Sequence, residues 1–151
     1  KRLHRNFQGY TADYADALLG FGPSSISRLP QGYAQNSIPL ADYMRRINEH
    51  GVSAARGYAF TPDDVMRNFT IERLMCDFVF PINELRERFG AAAAPILVQA
   101  EELVANNRDG FIEPLKEGFR VTERGRMFVR TICSHFDAHD RPDNAQYSSG
   151  A

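Results

Sequence analysis

The positions of glycine and proline divide this 151-residue chain into two parts of different character. In residues 1–36, glycines and prolines interrupt short apolar runs at positions Gly9, Gly20, Gly22, Pro23, Pro30 and Gly32. Such spacing is typical of strands and loops, or of backbone that approaches a ligand closely. After residue 36 the apolar residues recur at helical spacing, which predicts a mainly α-helical remainder.

Helix start and stop signals in this remainder predict helices over 39–50, 62–77, 82–89, 94–107 and 123–138. The strongest start is Thr61-Pro-Asp-Asp, which combines a capping hydroxyl, a first-turn proline and two acids near the positive end of the helix. Two short apolar segments, 111–115 and 119–121, predict a small β-hairpin. Helices followed by a hairpin and a last helix are typical of a winged-helix-like domain.

Apolar spacing also predicts which faces are buried. The first helix carries a stripe expected to face the core, formed by Leu40, Tyr43, Met44 and Ile47. The last helix begins after Thr122 as its cap and carries apolar residues every four positions. The final residues, 139–151, lack such a pattern and are expected to form a polar tail. The predicted divisions are therefore 1–36, 37–138 and 139–151.

Charge and hydropathy exclude several classes of protein. Lysine and arginine number 18, aspartate and glutamate 19, and the net charge is -1, so no general electrostatic attraction to nucleic acid or membranes is expected. No apolar run approaches the roughly 20 residues of a membrane helix, and the basic start is not followed by a secretory apolar region. We expect a cytoplasmic protein without a membrane partner.

The winged-helix pattern raises the question of DNA binding. The helix predicted over 94–107 would be the recognition helix, but it contains Glu101 and Glu102 and no lysine or arginine. Phosphate repels such a helix, so no nucleic-acid partner is predicted. Arginines at positions 124, 126 and 130 form a basic face on the last helix, which we interpret as a solvated side.

Metal-binding patterns are also missing from the sequence. Cys76 and Cys133 lie 57 positions apart and are predicted to be reduced core residues. His135 and His139 are four residues apart, but the carboxylate pattern of a zinc helix is absent. The chain is predicted to contribute no metal ligand.

Two strings near the start carry a family resemblance: Arg5-Asn-Phe-Gln-Gly-Tyr-Thr and Leu18-Leu-Gly-Phe-Gly-Pro-Ser-Ser-Ile-Ser. With Tyr33-Ala-Gln-Asn and the late Arg130-Thr-Ile-Cys, they resemble the oxygen-independent coproporphyrinogen III oxidases, which are radical S-adenosylmethionine enzymes of haem biosynthesis. A related haem-chaperone branch generally carries tryptophan in the first string, and this chain has none. The alternative is a haem-chaperone-like or winged-helix binding module without oxidase activity.

The resemblance implies that the chain is the C-terminal part of such an oxidase. Residues 1–36 would then be the loop- and strand-rich end of a radical S-adenosylmethionine barrel, and the helical domain would pack on the missing barrel. The family converts two propionates of coproporphyrinogen III to the vinyls of protoporphyrinogen IX. It uses S-adenosylmethionine and a [4Fe-4S] cluster held by three closely spaced cysteines, which this chain lacks. The fragment alone is expected to be inactive.

The resemblance also implies site residues. Family members bind a second S-adenosylmethionine, and the matching positions here are Phe7, Gln8 and Ile26. Because the substrate carries four carboxylates, Arg5 is predicted to lie near it. No catalytic residue is assigned within this chain.

Overall fold

The computed structural model describes residues 2–7 and 9–139. Within them the α-helices are α1 (Leu40–His50), α2 (Pro62–Asp77), α3 (Ile82–Phe89), α4 (Ala94–Ala105) and α5 (Val129–Ser134). The strands are β1 (His4–Asn6), β2 (Gly9–Thr11), β3 (Ile26–Leu29), β4 (Gly32–Asn36), β5 (Ala54–Ala59), β6 (Ile112–Pro114) and β7 (Phe119–Val121). Two 3-10 helices, Gly90–Ala93 and Arg124–Phe128, precede α4 and α5.

The chain forms two compact units. The first, here called the helical unit, combines Lys1–Asp13 with Pro62–Ala151, and the second, here called the sheet unit, is Tyr14–Thr61. The predicted division at residue 36 falls inside the sheet unit and stays a prediction about the domains of a longer protein. The predicted tail, residues 139–151, lies outside the described residues except for His139.

The core of the helical unit is aromatic and aliphatic. Phe80 stacks on Phe119 at a centroid distance of 5.2 Å and on Phe136 at 5.7 Å. These rings are almost completely buried, and α2, α3 and α4 close around them with Leu74, Leu85 and Ile96. The burial of three phenylalanines contributes more to stability than any single polar contact on this unit's surface.

The β6–β7 hairpin attaches to this core through backbone hydrogen bonds. The Phe80 amide donates to the Phe119 carbonyl at 2.9 Å, and the Val121 amide donates to the Phe78 carbonyl at 2.8 Å. The hairpin predicted from the apolar segments is therefore present, with Phe119 and Val121 pointing into the core.

The last predicted helix, over 123–138, is wrong as one continuous α-helix. Its first turn is the 3-10 helix Arg124–Phe128, and α5 ends at Ser134. The Arg126 amide is shared between the carbonyls of Thr122 (3.1 Å) and Glu123 (3.3 Å), which is typical of a tightened helix end. The predicted capping role of Thr122 is confirmed, since its hydroxyl accepts a hydrogen bond from the Gly125 amide at 3.1 Å.

The backbone of this tight first turn lies very close to another backbone segment. An added Cβ at Gly125 would lie 2.0 Å from the carbonyl oxygen of Phe111. Only glycine allows this approach, because the obstacle is backbone and cannot rotate away. The contact depends on residues far apart in sequence, so helical spacing alone did not predict it.

We expect Gly125→Ala to lower the free energy of unfolding by about 2 kcal/mol or more, because the methyl group forces this backbone apart. Urea unfolding followed by far-ultraviolet circular dichroism measures the change. Gly57→Ala is the control, since its Cβ would meet its nearest neighbour, the Tyr33 carbonyl oxygen, at 3.4 Å. Equal stability of the two variants would contradict the steric explanation.

The sheet unit contains a three-stranded antiparallel sheet in the order β3-β4-β5, together with α1. The buried stripe predicted for α1 is wrong. No residue of α1 is buried, and Leu40 and Met44 are exposed. Helical spacing identifies the apolar face of a helix, but it does not determine whether another element covers that face.

Other predictions agree with the structure. The bounds of α2 and α3 are those predicted, because their start and stop signals are local. The front third forms short antiparallel strands and loops, and helices dominate afterwards. The winged-helix arrangement and the barrel origin of residues 1–36 stay predictions.

A membrane-spanning helix is not found among residues 2–7 and 9–139, since each helix there is too short or too polar.

Candidate functional site

The string that begins at Arg5 forms a hairpin in the helical unit. β1 and β2 pair antiparallel, with His4 opposite Thr11, Arg5 opposite Tyr10 and Asn6 opposite Gly9. Two residues connect the strands, as in the tightest β-hairpins. Phe7 is one of them and is 56% exposed, and Gln8 lies outside the described residues. The hairpin therefore displays an aromatic side chain at its tip.

The base of the hairpin is attached to α2 and α3 by charged groups. Arg73 Nη2 donates to the Leu3 carbonyl oxygen at 2.7 Å, and His4 Nδ1 lies 2.9 Å from Glu72 Oε1. Arg2 reaches both carboxylate oxygens of Glu84 at 2.7 Å each. Bidentate arginine–carboxylate pairs fix orientation as well as distance. Three consecutive residues, 2–4, therefore fix the base of the hairpin to the helices.

Arg5 is the exposed residue of β1. Its neighbours in β1, His4 and Asn6, are half-buried, whereas Arg5 is exposed, as expected from the alternation of side chains along a strand. Arg5 therefore places a guanidinium on the hairpin that displays Phe7.

Ile26, the third predicted cofactor contact, lies in the sheet unit. It is the first residue of β3, pairs with Gln35 of β4 and is 37% exposed. Several hydrogen bonds hold the loop before it, and in two of them Asn36 Nδ2 donates to the carbonyl oxygens of Gly20 (3.1 Å) and Gly22 (3.0 Å). The Asn36 amide therefore helps to fix the glycine-rich loop that leads into Ile26.

The same loop comes very close to the backbone of β3. A Cβ at Gly20 would lie 2.8 Å from the Ile26 carbonyl oxygen, so a larger residue would displace the loop or the strand. The sequence analysis interpreted the glycine pattern as strands and loops or as close approach to a ligand. At Gly20 the close neighbour is the backbone of β3 in the same chain. Of the predicted site residues, the structure brings Arg5 and Phe7 together on one hairpin, and Ile26 belongs to the other unit.

The two cysteines do not suit an iron–sulfur cluster. Both are buried and unpaired with each other, and the described residues contain no group of three side chains able to hold a metal ion. Burial raises the pKa of the Cys76 thiol, and it raises that of Cys133 from 9.0 to about 12. Cluster ligands are thiolates, so raised values oppose binding. The prediction that both are core residues is confirmed.

We expect Cys133 to resist alkylation in the folded chain. A pKa near 12 instead of 9.0 reduces its thiolate fraction about a thousandfold at neutral pH, so iodoacetamide should modify it only after unfolding. Peptide mapping by mass spectrometry after timed exposure measures the rate, and the urea-unfolded chain is the control. Rapid modification of folded Cys133 would contradict this burial.

The histidines and the basic face do not form a site. His139 Nε2 lies 3.0 Å from Asp64 Oδ1, and His135 follows the end of α5, so the two are not on one helix as predicted. Arg126 lies 4.8 Å from the centre of the Phe78 ring and pairs with Glu123 at 3.2 Å. The face is exposed, in agreement with its interpretation as a solvated side.

Sequence reasoning missed Arg73, which is 2% exposed. The residue sits in α2 one turn from Asp77, and Arg73 Nη1 donates to Asp77 Oδ2 at 3.0 Å. A signal was present, because Arg73 lies three positions after Thr70 and next to Leu74, both completely buried. An arginine on the buried face of a helix requires several partners, and the pattern could have prompted a search for them.

The chain is similar in sequence to proteins of known family. Residues 60–128 match the family model of the HemN C-terminal domain. The chain is 38% identical to the oxygen-independent coproporphyrinogen III oxidase of Bradyrhizobium diazoefficiens over 148 residues, which is 98% of this chain and 33% of the relative. It is 41% identical to that of Paracoccus denitrificans over 138 residues, 91% of this chain and 30% of the relative.

A solved structure is also similar. The coproporphyrinogen III oxidase HemN from Escherichia coli, described as a radical SAM enzyme, superposes with a TM-score of 0.82 and 36% sequence identity. The match covers 90% of this chain and 32% of the solved chain. This chain therefore spans about a third of the length of the proteins it matches.

Proposed function

Because the chain belongs to the family of oxygen-independent coproporphyrinogen III oxidases, over their C-terminal part, we propose that it is the cofactor-supporting third of such an enzyme. The complete enzyme would remove two propionate carboxyl groups of coproporphyrinogen III, giving protoporphyrinogen IX in haem biosynthesis. The observation that carries this proposal is the attached hairpin, which displays Phe7 at its tip beside an exposed Arg5.

Phe7, Gln8 and Ile26 are proposed to contact a second S-adenosylmethionine. Phe7 and Ile26 each present a partly or largely exposed apolar side chain, a type of group that suits contact with such a ligand. The Gln8 amide can both donate and accept a hydrogen bond. When bound, S-adenosylmethionine supplies the radical chemistry that an unactivated carbon–hydrogen bond requires. The role of this chain is to bind and orient.

Arg5 is proposed to face a propionate of the substrate. Its guanidinium is exposed and lies on the same short hairpin as Phe7, so substrate and cofactor contacts would share one support. An arginine pairs with a carboxylate through two parallel hydrogen bonds, which also fixes the carboxylate plane. Arg5 would thereby orient the propionate without taking part in bond breaking.

The iron–sulfur cluster is proposed to bind outside these 151 residues. Cys76 and Cys133 are buried with raised pKa values, and neither suits a ligand role. We therefore assign no electron-transfer step to this chain, and we expect it to lack oxidase activity by itself.

In the full-length enzyme, we expect Gln8→Ala to reduce turnover at least tenfold while cluster content stays unchanged. The substitution removes a hydrogen-bonding group from the cofactor site and leaves the cluster ligands intact. Turnover is measured as protoporphyrinogen formed, and cluster content by iron analysis and absorbance.

Gln31→Ala is the matched control for this variant. Gln31 is an exposed glutamine in the turn between β3 and β4, so its loss is expected to leave turnover unchanged. Normal turnover of Gln8→Ala would remove the basis for the proposed cofactor site.

A further inference from the structure

We propose that Arg73 is a positioning residue that sets the place of Phe7 at the tip of the β1–β2 hairpin, and thereby the affinity for S-adenosylmethionine. The inference rests on the proposed function, since it assumes that this tip contacts the cofactor. It adds a residue of α2 that touches neither cofactor nor substrate. All groups involved belong to the helical unit.

The guanidinium of Arg73 has little contact with water and therefore depends on its protein partners. It donates to the Leu3 carbonyl oxygen at 2.7 Å, to Glu72 Oε1 at 3.1 Å and to Asp77 Oδ2 at 3.0 Å. A buried cation without such partners is strongly destabilised, so the carbonyl of Leu3 is held where Arg73 requires it. The residue that precedes β1 is thus fixed by a residue of α2.

Arg2 and His4 hold the same strand from both sides of Leu3. Arg2 Nη2 reaches Asp77 Oδ2 at 3.1 Å, the same oxygen that accepts from Arg73. Glu72 is shared as well, between Arg73 and His4. We call these residues the charged clamp: Arg2, Leu3, His4, Glu72, Arg73, Asp77 and Glu84. Each acid except Glu84 has two partners, which couples the contacts to one another.

The hairpin is too small to determine its own position. Each strand has three residues, and isolated two-stranded hairpins are marginally stable in water. Phe7 is four residues beyond Leu3, a span of about 13 Å for extended chain. A small rotation at the clamp therefore moves the tip by a larger distance. Since binding groups displaced by about 1 Å lose much of their effect, loss of the clamp should weaken cofactor binding.

Removal of Arg73 should not unfold the helical unit. The Glu72 and Asp77 side chains are 20% and 35% exposed, so both carboxylates reach water when the guanidinium is absent. Methionine keeps the apolar stem of arginine and packs well in irregular space. Arg73→Met therefore releases the Leu3 carbonyl and preserves most of the packing.

The test combines kinetics with hydrogen–deuterium exchange. In the full-length enzyme, Arg73→Met is expected to raise KM for S-adenosylmethionine about tenfold, with kcat at saturating cofactor near that of the parent. In the 151-residue chain, amides of residues 2–11 should exchange faster and those of α4 at the parent rate. Arg73→Lys should restore part of the affinity, because it keeps one charged donor.

Two further variants make the result decisive. The Arg2 side chain is 45% exposed, so Arg2→Met removes part of the charged clamp without altering buried packing. This variant tests the positioning role if Arg73→Met fails to fold. Arg120→Met is the matched control, because Arg120 Nη2 pairs with Glu113 at 2.7 Å on the β6–β7 hairpin. Its KM and the exchange of residues 2–11 should not change.

The outcomes separate the two proposals. If Gln8→Ala reduces turnover while Arg73→Met and Arg2→Met leave both KM and exchange unchanged, the positioning role is overturned and the proposed function stands. If exchange rises and KM does not, the clamp orders the hairpin without affecting the cofactor, and the inference fails. If Gln8→Ala has no effect, the proposed function fails.

Discussion

The buried guanidinium of Arg73 is the constraint that attaches the first residues of the chain to the helices. Arg73 lies on the buried side of α2, and its donors are satisfied only when Leu3 supplies a carbonyl oxygen. Because an unsatisfied buried charge is far more costly than an exposed one, the N-terminal strand cannot leave α2 without a large penalty. The string that begins at Arg5 thereby becomes part of the helical unit, although the sheet unit, Tyr14–Thr61, comes between the two segments in sequence.

The interior and the edge of the helical unit have different roles. The stacked rings of Phe80, Phe119 and Phe136 fill the interior and, with the aliphatic residues around them, provide most of the stability. Charged groups at the edge contribute less to stability, but they fix the orientation of the segments that they join, since paired arginines and carboxylates fix angles as well as distances. A packed interior with a directional edge is suited to holding a ligand-binding turn, which is the role proposed for this part of the enzyme.

How far the sequence predicts this structure depends on how far apart in sequence the contacting residues are. The bounds of α2 follow from Thr61-Pro-Asp-Asp and from neighbouring residues, so they could be read directly. The break in the last helix arises where Gly125 meets the backbone of Phe111, and no local pattern reveals that contact. The buried position of Arg73 has a local signal in its neighbours, but its partner Leu3 is 70 positions away, so the contact between them could not be predicted from local sequence. Phe7 and Ile26 were assigned by family resemblance, and their cofactor role stays a prediction.

The exposure of α1 has a consequence for how the chain denatures. None of the large apolar side chains of the sheet unit is buried, and every residue of β5 is exposed, whereas the helical unit has a dense interior. Loss of order in the sheet unit therefore releases little apolar surface, and its heat-capacity change is small. Calorimetry of the isolated 151 residues should accordingly show one sharp endotherm from the helical unit, preceded by a broad, weak transition at lower temperature.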